Sequence, residues 1–516
     1  MSLFLFKVLA LFLLNTSSNA SPTQSRRHCR FGDTCWPDES TWQAFNHSIS
    51  GRLVRTYPAA AVCHGQTYDA AECEVAKAEW DNSFWRTNQT GAYTAMVWEL
   101  GNGQCFINSS RNDACQPGLV PHYSVNATSV ADIQAAVRFA SDKDLYLVVK
   151  NTGHDHLGRS TGRGAFSIWT HNLKGRKWMK NFVAKGVPEQ AKGVAAVTLQ
   201  PGEQWLDVYR AASQERVIVV GGAARTVGAA GGWLTGGGHS PFANAYGLGV
   251  DNLLEATLVN AKGEHLTVNQ YTDRDYFYAI RGGGGSSWGV LTSVTYRTHP
   301  EPSHIQVAFV QVNATSNSSL RPVLERSLGA LVNMTDSGYT GYGYLSGAGF
   351  TSLFIKPNGT DAQLVKAAAA FYEIGQLPEA AFAMLNFTFP RWIDYCNMFL
   401  QDPNIAQNVM DSSRLLTPDM AFNKADKIID MMLELSEENY PFFNFIGKVN
   451  PAERNKTSVH PVWHNSRAVM SFGTNWNDTA SDAEKRRKRQ LLVDISKRWG
   501  NITGPSGGTY ANEANP

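Results

Sequence analysis

The stretch LYLVVKNTGHDHLGRSTGRG (145–164) joins two kinds of chain. Its first six residues form an apolar, β-branched run of the type that makes a buried strand. The next fourteen hold four glycines, two histidines, two arginines and three hydroxyl residues. A plain turn needs one or two such residues. Glycines let main-chain N–H groups approach an anion and permit φ > 0. A strand that empties into such a loop therefore suits a phosphate-bearing ligand.

The flanking sequence repeats this arrangement. Upstream, Ser129 and Asp132 make a capping-box-like start, and Val130, Ile133, Val137 and Ala140 mark one face of a helix leading into the strand. Downstream, VAAVTLQPGEQWLDVYRAASQERVIVVGG (194–222) reads as strand, turn, helix and strand, again ending in glycine. Two more glycine clusters follow, TVGAAGGWLTGGGHSPFANAYGLGVDN (226–252) and RGGGGSSWGV (281–290). Flexible linkers are not bounded by Val/Ile-rich strands on both sides, so these clusters read as a ligand cradle. Several separated clusters fit an elongated diphosphate ligand better than a mononucleotide. The GxGxxG fingerprint with its acidic residue is absent from the required strand–helix context, which disfavours an ordinary NAD site.

At 516 residues the chain is long enough for two or more packed units. With 46 Lys+Arg against 44 Asp+Glu it carries no charge excess that calls for nucleic acid. The basic run EKRRKRQ (484–490) reads as a solvated helix face. Residues 1–20 have the n-region, apolar core and small-residue end of a secretory signal peptide, and no later apolar run is long enough to span a bilayer. Twelve Asn-x-Ser/Thr sequons, from Asn46 to Asn501, agree with an N-glycosylated protein of the secretory pathway or extracellular space. Six of seven cysteines fall in three close pairs (Cys29/Cys35, Cys63/Cys73, Cys105/Cys115), as local disulfides would. Their spacing is not that of zinc ligands, and no metal is expected. Cys396 is left over. The expected organisation is a signal peptide at 1–20, a disulfide-stapled segment at 21–116, a glycine-loop domain at 117–301 and an α+β domain at 302–516 that covers it.

The segments 148–175, 226–252 and 281–290, in this order and spacing, resemble the FAD-binding domain of the vanillyl-alcohol-oxidase / p-cresol-methylhydroxylase (PCMH-type) superfamily. The chain is most similar to its secreted fungal berberine-bridge-like branch. That branch includes isoamyl-alcohol-oxidase-like enzymes and FAD-linked oxidoreductases of secondary-metabolite clusters, such as the chanoclavine-I-synthase type. The resemblance implies an α+β chain with a two-subdomain FAD-binding fold and a C-terminal α+β substrate domain. It makes NTGHDHLG the pyrophosphate loop and His154 the residue bonded to the 8α-methyl of the flavin. Some members carry a second link from a cysteine at the position of Ala224; alanine has no nucleophile, so a single attachment is expected. Val227 occupies the place where a small side chain accompanies oxidases. Asn151, Thr152, Gly153, Gly158, Arg159, Ser160, Gly228, Gly231, Gly232, Gly238, His239 and Val290 complete the implied cofactor set, whereas His156 and His171 read as structural.

The implied reaction passes hydride from a small alcohol or secondary metabolite, an alkaloid intermediate among them, to flavin N5, and then electrons to O2. A small molecule and O2 are the expected partners of a monomer. GGTYANEANP (507–516) resembles the family's Tyr-x-Asn-Glu segment, which makes Tyr510 the catalytic candidate and places Asn512 near the flavin. Relatives of this kind continue into a further W..F/YG.NY..L..IK..YDP segment, which this sequence lacks. An incomplete substrate domain, with Cys396 deprived of a partner, is therefore expected. The alternatives are an inactive flavin-binding relic and a flavin-assisted cyclase or isomerase.

Overall fold

A computed structural model describes residues 27–514, apart from 102, 189, 191, 286, 347, 403, 436–439, 448 and 450–454. The leader expected at 1–20 lies outside the described residues. The chain is α+β, with three sheets among the described residues.

The first sheet runs in the order Leu53–Arg55, Tyr123–Asn126, Phe166–Trp169, Leu147–Lys150. Its last three strands are parallel. The connection that parallel strands require is the helix Val130–Asp142, whose capping box forms as the sequence predicts: Ser129 Oγ accepts from Asp132 N, and the Asp132 carboxylate accepts from Ser129 N. Ile133, Ala136, Val137 and Ala140 are its buried face. The strand Leu53–Arg55 comes from the disulfide-bearing segment and forms an edge of this sheet. All three predicted disulfides are present.

The second sheet has six strands, with Val194–Leu199, Val290–Pro300 and Leu253–Val259 at its centre. The third is a seven-stranded antiparallel sheet formed by segments between Ile305 and Trp476. Alternation along Ile305–Ala314 explains how it packs. Ile305 and Val307 face the glycine-loop half, whereas Ala308, Val310 and Val312 face the sheet's own helices, chief among them Asn317–Asp336.

The stretch 361–377 forms two helices, Asp361–Ala367 and Ala369–Gly375. HPVWHNSRAVMSFG begins as a 3-10 turn at Pro461–Asn465, because a proline at its first position favours a turn start, and becomes strand at Ala468–Trp476. The basic run lies in the helix Asp482–Thr503 on mostly exposed positions. Cys396 is fully buried in the core beside Trp392 and Tyr395, where a thiol packs as a small apolar group. No helix among the described residues is long and apolar enough to cross a membrane.

Candidate active site

A cavity of about 610 Å³ lies between the glycine loops and the inner face of the seven-stranded sheet. From the glycine-loop half, Asn151, Thr152, Gly153, His154, Arg159, Ser160, Val227, Gly228, Gly231, Gly232, His239 and Val290 all line it, and Tyr510 joins them from the chain's last turn. Gly158 and Gly238 do not. They let loops close against tryptophans: a Cβ at Gly158 would lie 2.5 Å from the Trp98 ring, and one at Gly238 would lie 2.9 Å from Trp233. The opposite wall is largely aromatic and aliphatic, with Phe309, Tyr342, Leu353, Tyr395 and Phe399.

The loop that opens at Asn151 is held from both sides. Asn151 Nδ2 donates to Pro201 O at 2.6 Å and Ala230 O at 3.1 Å, which ties two glycine loops together. Arg159 pairs with Asp155 and donates to Asn512 Oδ1 at 3.0 Å. Asn512 in turn donates to Gly232 O and to the Tyr510 hydroxyl, both at 2.7 Å. The Tyr-x-Asn-Glu segment is thus latched onto the cradle.

The charged groups at the far end were not found from sequence. His156, read as structural, contacts Asp411 (Nδ1 to Oδ2, 2.8 Å), and both residues line the cavity. Burial alone would lower the imidazole pKa. Asp411, with help from Glu513 and Asp155, outweighs burial and pushes His156 up to about 9. The other oxygen of Asp411 is buried without a partner. Glu513 accepts from Ser471 at 3.0 Å and lies 3.6 Å from His239. Burial would raise its carboxyl pKa, yet His239, His156 and Ser471 together hold it below the usual range. Tyr510 is buried, and loss of solvation raises its phenol pKa, so it stays protonated. His171 does not line the cavity; it stacks on Trp169 and contacts Asn88 Oδ1 at 2.7 Å.

The glycine-loop wall has the features of a site built for an elongated diphosphate. Asn151 Oδ1 and Ser160 Oγ are buried with no hydrogen-bond partner. Side chains added at Gly232 and Gly284 would meet nothing within 4 Å, and Gly284 adopts φ +92, so the backbone there opens directly onto the space. Buried polar atoms without partners cost free energy unless a ligand satisfies them. The groups present fit FAD.

Comparison with known proteins agrees. Residues 121–269 match the FAD binding domain family. The chain is 53% identical over 515 residues to an FAD-linked oxidoreductase of Arthroderma benhamiae, covering 99% of this chain and 91% of that one. It is 30% identical over 540 residues to the VAO-type flavoprotein oxidase VAO615 of Thermothelomyces thermophilus, covering 97% of this chain and 88% of that one. The crystal structure of the VAO-type flavoprotein MtVAO615 from Myceliophthora thermophila superimposes with a TM-score of 0.85 at 28% identity, covering 95% and 90%. On this evidence the chain belongs to the VAO-type FAD-linked oxidoreductases, with the two-subdomain FAD-binding fold and C-terminal α+β domain of that superfamily.

Proposed function

We propose that this oxidoreductase is an oxidase acting on a small, largely apolar alcohol or secondary metabolite, with FAD bonded once, through His154. When bound, FAD supplies a two-electron acceptor that dioxygen can reoxidise. Asn151, Ser160 and the backbone of Gly231 and Gly232 would hold it. The aromatic wall would orient the substrate and exclude water. Asp411 Oδ1 takes the substrate hydroxyl proton, and the protonated His156 at Oδ2 balances the charge of the pair. Tyr510, kept as a neutral phenol, holds its own proton and orders Asn512 against the cradle. The observation that carries this reading is Asp411, a residue lining the cavity that the glycine cradle shares, whose Oδ1 has no hydrogen-bond partner. Val227 beside that cradle supports dioxygen as the acceptor, and Ala224 leaves no second attachment point. The disulfides, sequons and leader support a secreted, glycosylated protein.

The test is anaerobic mixing of purified enzyme with benzylic, allylic and aliphatic alcohols. The visible flavin absorbance is expected to bleach with at least one class and to return on aeration with stoichiometric hydrogen peroxide. Bleaching that returns without peroxide would rule out the oxidase. Absorbance indifferent to every alcohol would rule out the substrate class.

A further inference from the structure

His154 stands at the end of a hydrogen-bond chain that neither the cradle nor the Asp411–His156 pair uses. Its Nε2 lies 2.7 Å from Thr226 Oγ1, and Thr226 Oγ1 donates to Asp402 Oδ2 at 2.9 Å. Asp402 also accepts from Thr226 N at 3.2 Å and from the Ser83 hydroxyl at 2.5 Å. Thr226 is fully buried. Three remote parts of the chain therefore converge on one carboxylate: the disulfide-bearing segment, the Thr226-Val227-Gly228 loop and the connection that follows the helix Trp392–Phe399.

Proton counting fixes the direction of the chain. A threonine hydroxyl has one proton, and a carboxylate can only accept it, so Thr226 turns its lone pairs toward the imidazole. Nε2 must then be the donor. Nδ1 keeps the ring's lone pair and has no hydrogen-bond partner among the described residues, on a residue that lines the cavity. Burial lowers the imidazole pKa to about 4, only partly opposed by Asp402, so the ring is neutral at ordinary pH. A neutral imidazole with one exposed lone pair and a proton outlet on its far side is arranged as a nucleophile.

We propose that Thr226 and Asp402 are positioning residues that hold His154 in the Nε2–H tautomer and receive its proton when Nδ1 bonds to the flavin 8α carbon. This rests on the reading that His154 carries the flavin. In the step, the Nδ1–C8α bond forms and the 8α carbon loses one proton. Nε2 loses its own through the Thr226 hydroxyl to Asp402. The two electrons left on the ring pass to dioxygen, which with two protons leaves as hydrogen peroxide.

The test follows the covalent share of bound flavin in freshly secreted protein over time, for wild type, Thr226→Val, Thr226→Ser, Asp402→Asn and His154→Ala. Flavin retained by the acid-denatured polypeptide is compared with total bound FAD, and the adduct is located by peptide mass spectrometry. Thr226→Val and Asp402→Asn are expected to bind FAD yet form the bond about 10²-fold more slowly or worse, the lower range of general acid–base effects. Thr226→Ser restores the hydroxyl and should match wild type. Bond formation at the wild-type rate in Thr226→Val or Asp402→Asn would overturn the relay, as would a Thr226→Ser protein as slow as Thr226→Val. Wild type without any covalent flavin would instead sink the underlying reading, and the relay with it.

Discussion

Asp411→Asn is expected to lower kcat/KM by about 10²–10⁴-fold while FAD stays bound, the range for loss of a positioned proton acceptor. The same substitution should change the titration of His156, which requires no substrate to observe. In the native protein Asp411 is the largest influence raising that imidazole, against burial that lowers it. Without the charge at 2.8 Å, the His156 pKa should fall from about 9 toward the ordinary 6.5, even with Glu513 and Asp155 still nearby. The sign carries over to stability. A histidine whose folded pKa is raised contributes stability that is complete below about 6.5 and is lost as pH rises through about 9. Wild type should therefore lose thermal stability across that window, and Asp411→Asn should lose much less there. The check is histidine NMR together with Tm against pH; a His156 titration identical in the two proteins would contradict the pairing.

Glu99→Ala is expected to cost about 3–5 kcal/mol of stability, the penalty for leaving a buried charge without its partner. Arg86 and Glu99 are 2% and 0% exposed and meet at 2.6 Å. The same carboxylate accepts from Tyr93 N at 3.1 Å and Ala59 N at 3.0 Å, so its removal also strands two backbone donors. Arg86 keeps the carbonyls of Tyr93 and Trp80, the Met96 sulfur and the Trp80 ring face, none of them charged. Lys150 lies within the same electrostatic environment. Burial already lowers its pKa to about 7, against the pull of Glu99, and it donates to Gln89 O and Thr90 O. Loss of Glu99 removes the charge that raises Lys150 while Arg86 still lowers it, so the Lys150 pKa should fall further, directly before the loop that opens at Asn151. Denaturant unfolding followed by tryptophan fluorescence measures the cost. A loss below about 1 kcal/mol, the value of an exposed pair, would contradict this account.

Much of the cradle was legible because its chemistry is local. A strand at 147–150, a capped helix before it and glycines after it are short-range features, and the chain can hold its backbone open to a ligand only where the sequence supplies glycine. The disulfides were legible for the same reason, since their partners lie 6 or 10 residues apart. The groups proposed to move protons were not. His156 and Asp411 are 255 residues apart, and Thr226 and Asp402 are 176 apart, so nothing local announces either pair. Asp411 offered one weak signal, a lone acid in the otherwise uncharged first half of NVMDSSRLL, whose meaning depends on which face of the strand it occupies. For His156 the sequence offers only a histidine in a polar loop, and only the approach of a strand from the second half gives it a carboxylate. The break between Asp361–Ala367 and Ala369–Gly375 was hidden because an alanine-rich run has high helix propensity throughout.

The proposed chemistry turns on His154 as the residue that carries FAD. The measurement is to purify the secreted protein, denature it, follow flavin fluorescence with the polypeptide and sequence the flavin-bearing peptide by mass spectrometry. One FAD-sized adduct is expected, on the peptide containing His154, and none on the peptide containing Ala224. Flavin released completely on denaturation, or an adduct on any other residue, would contradict it.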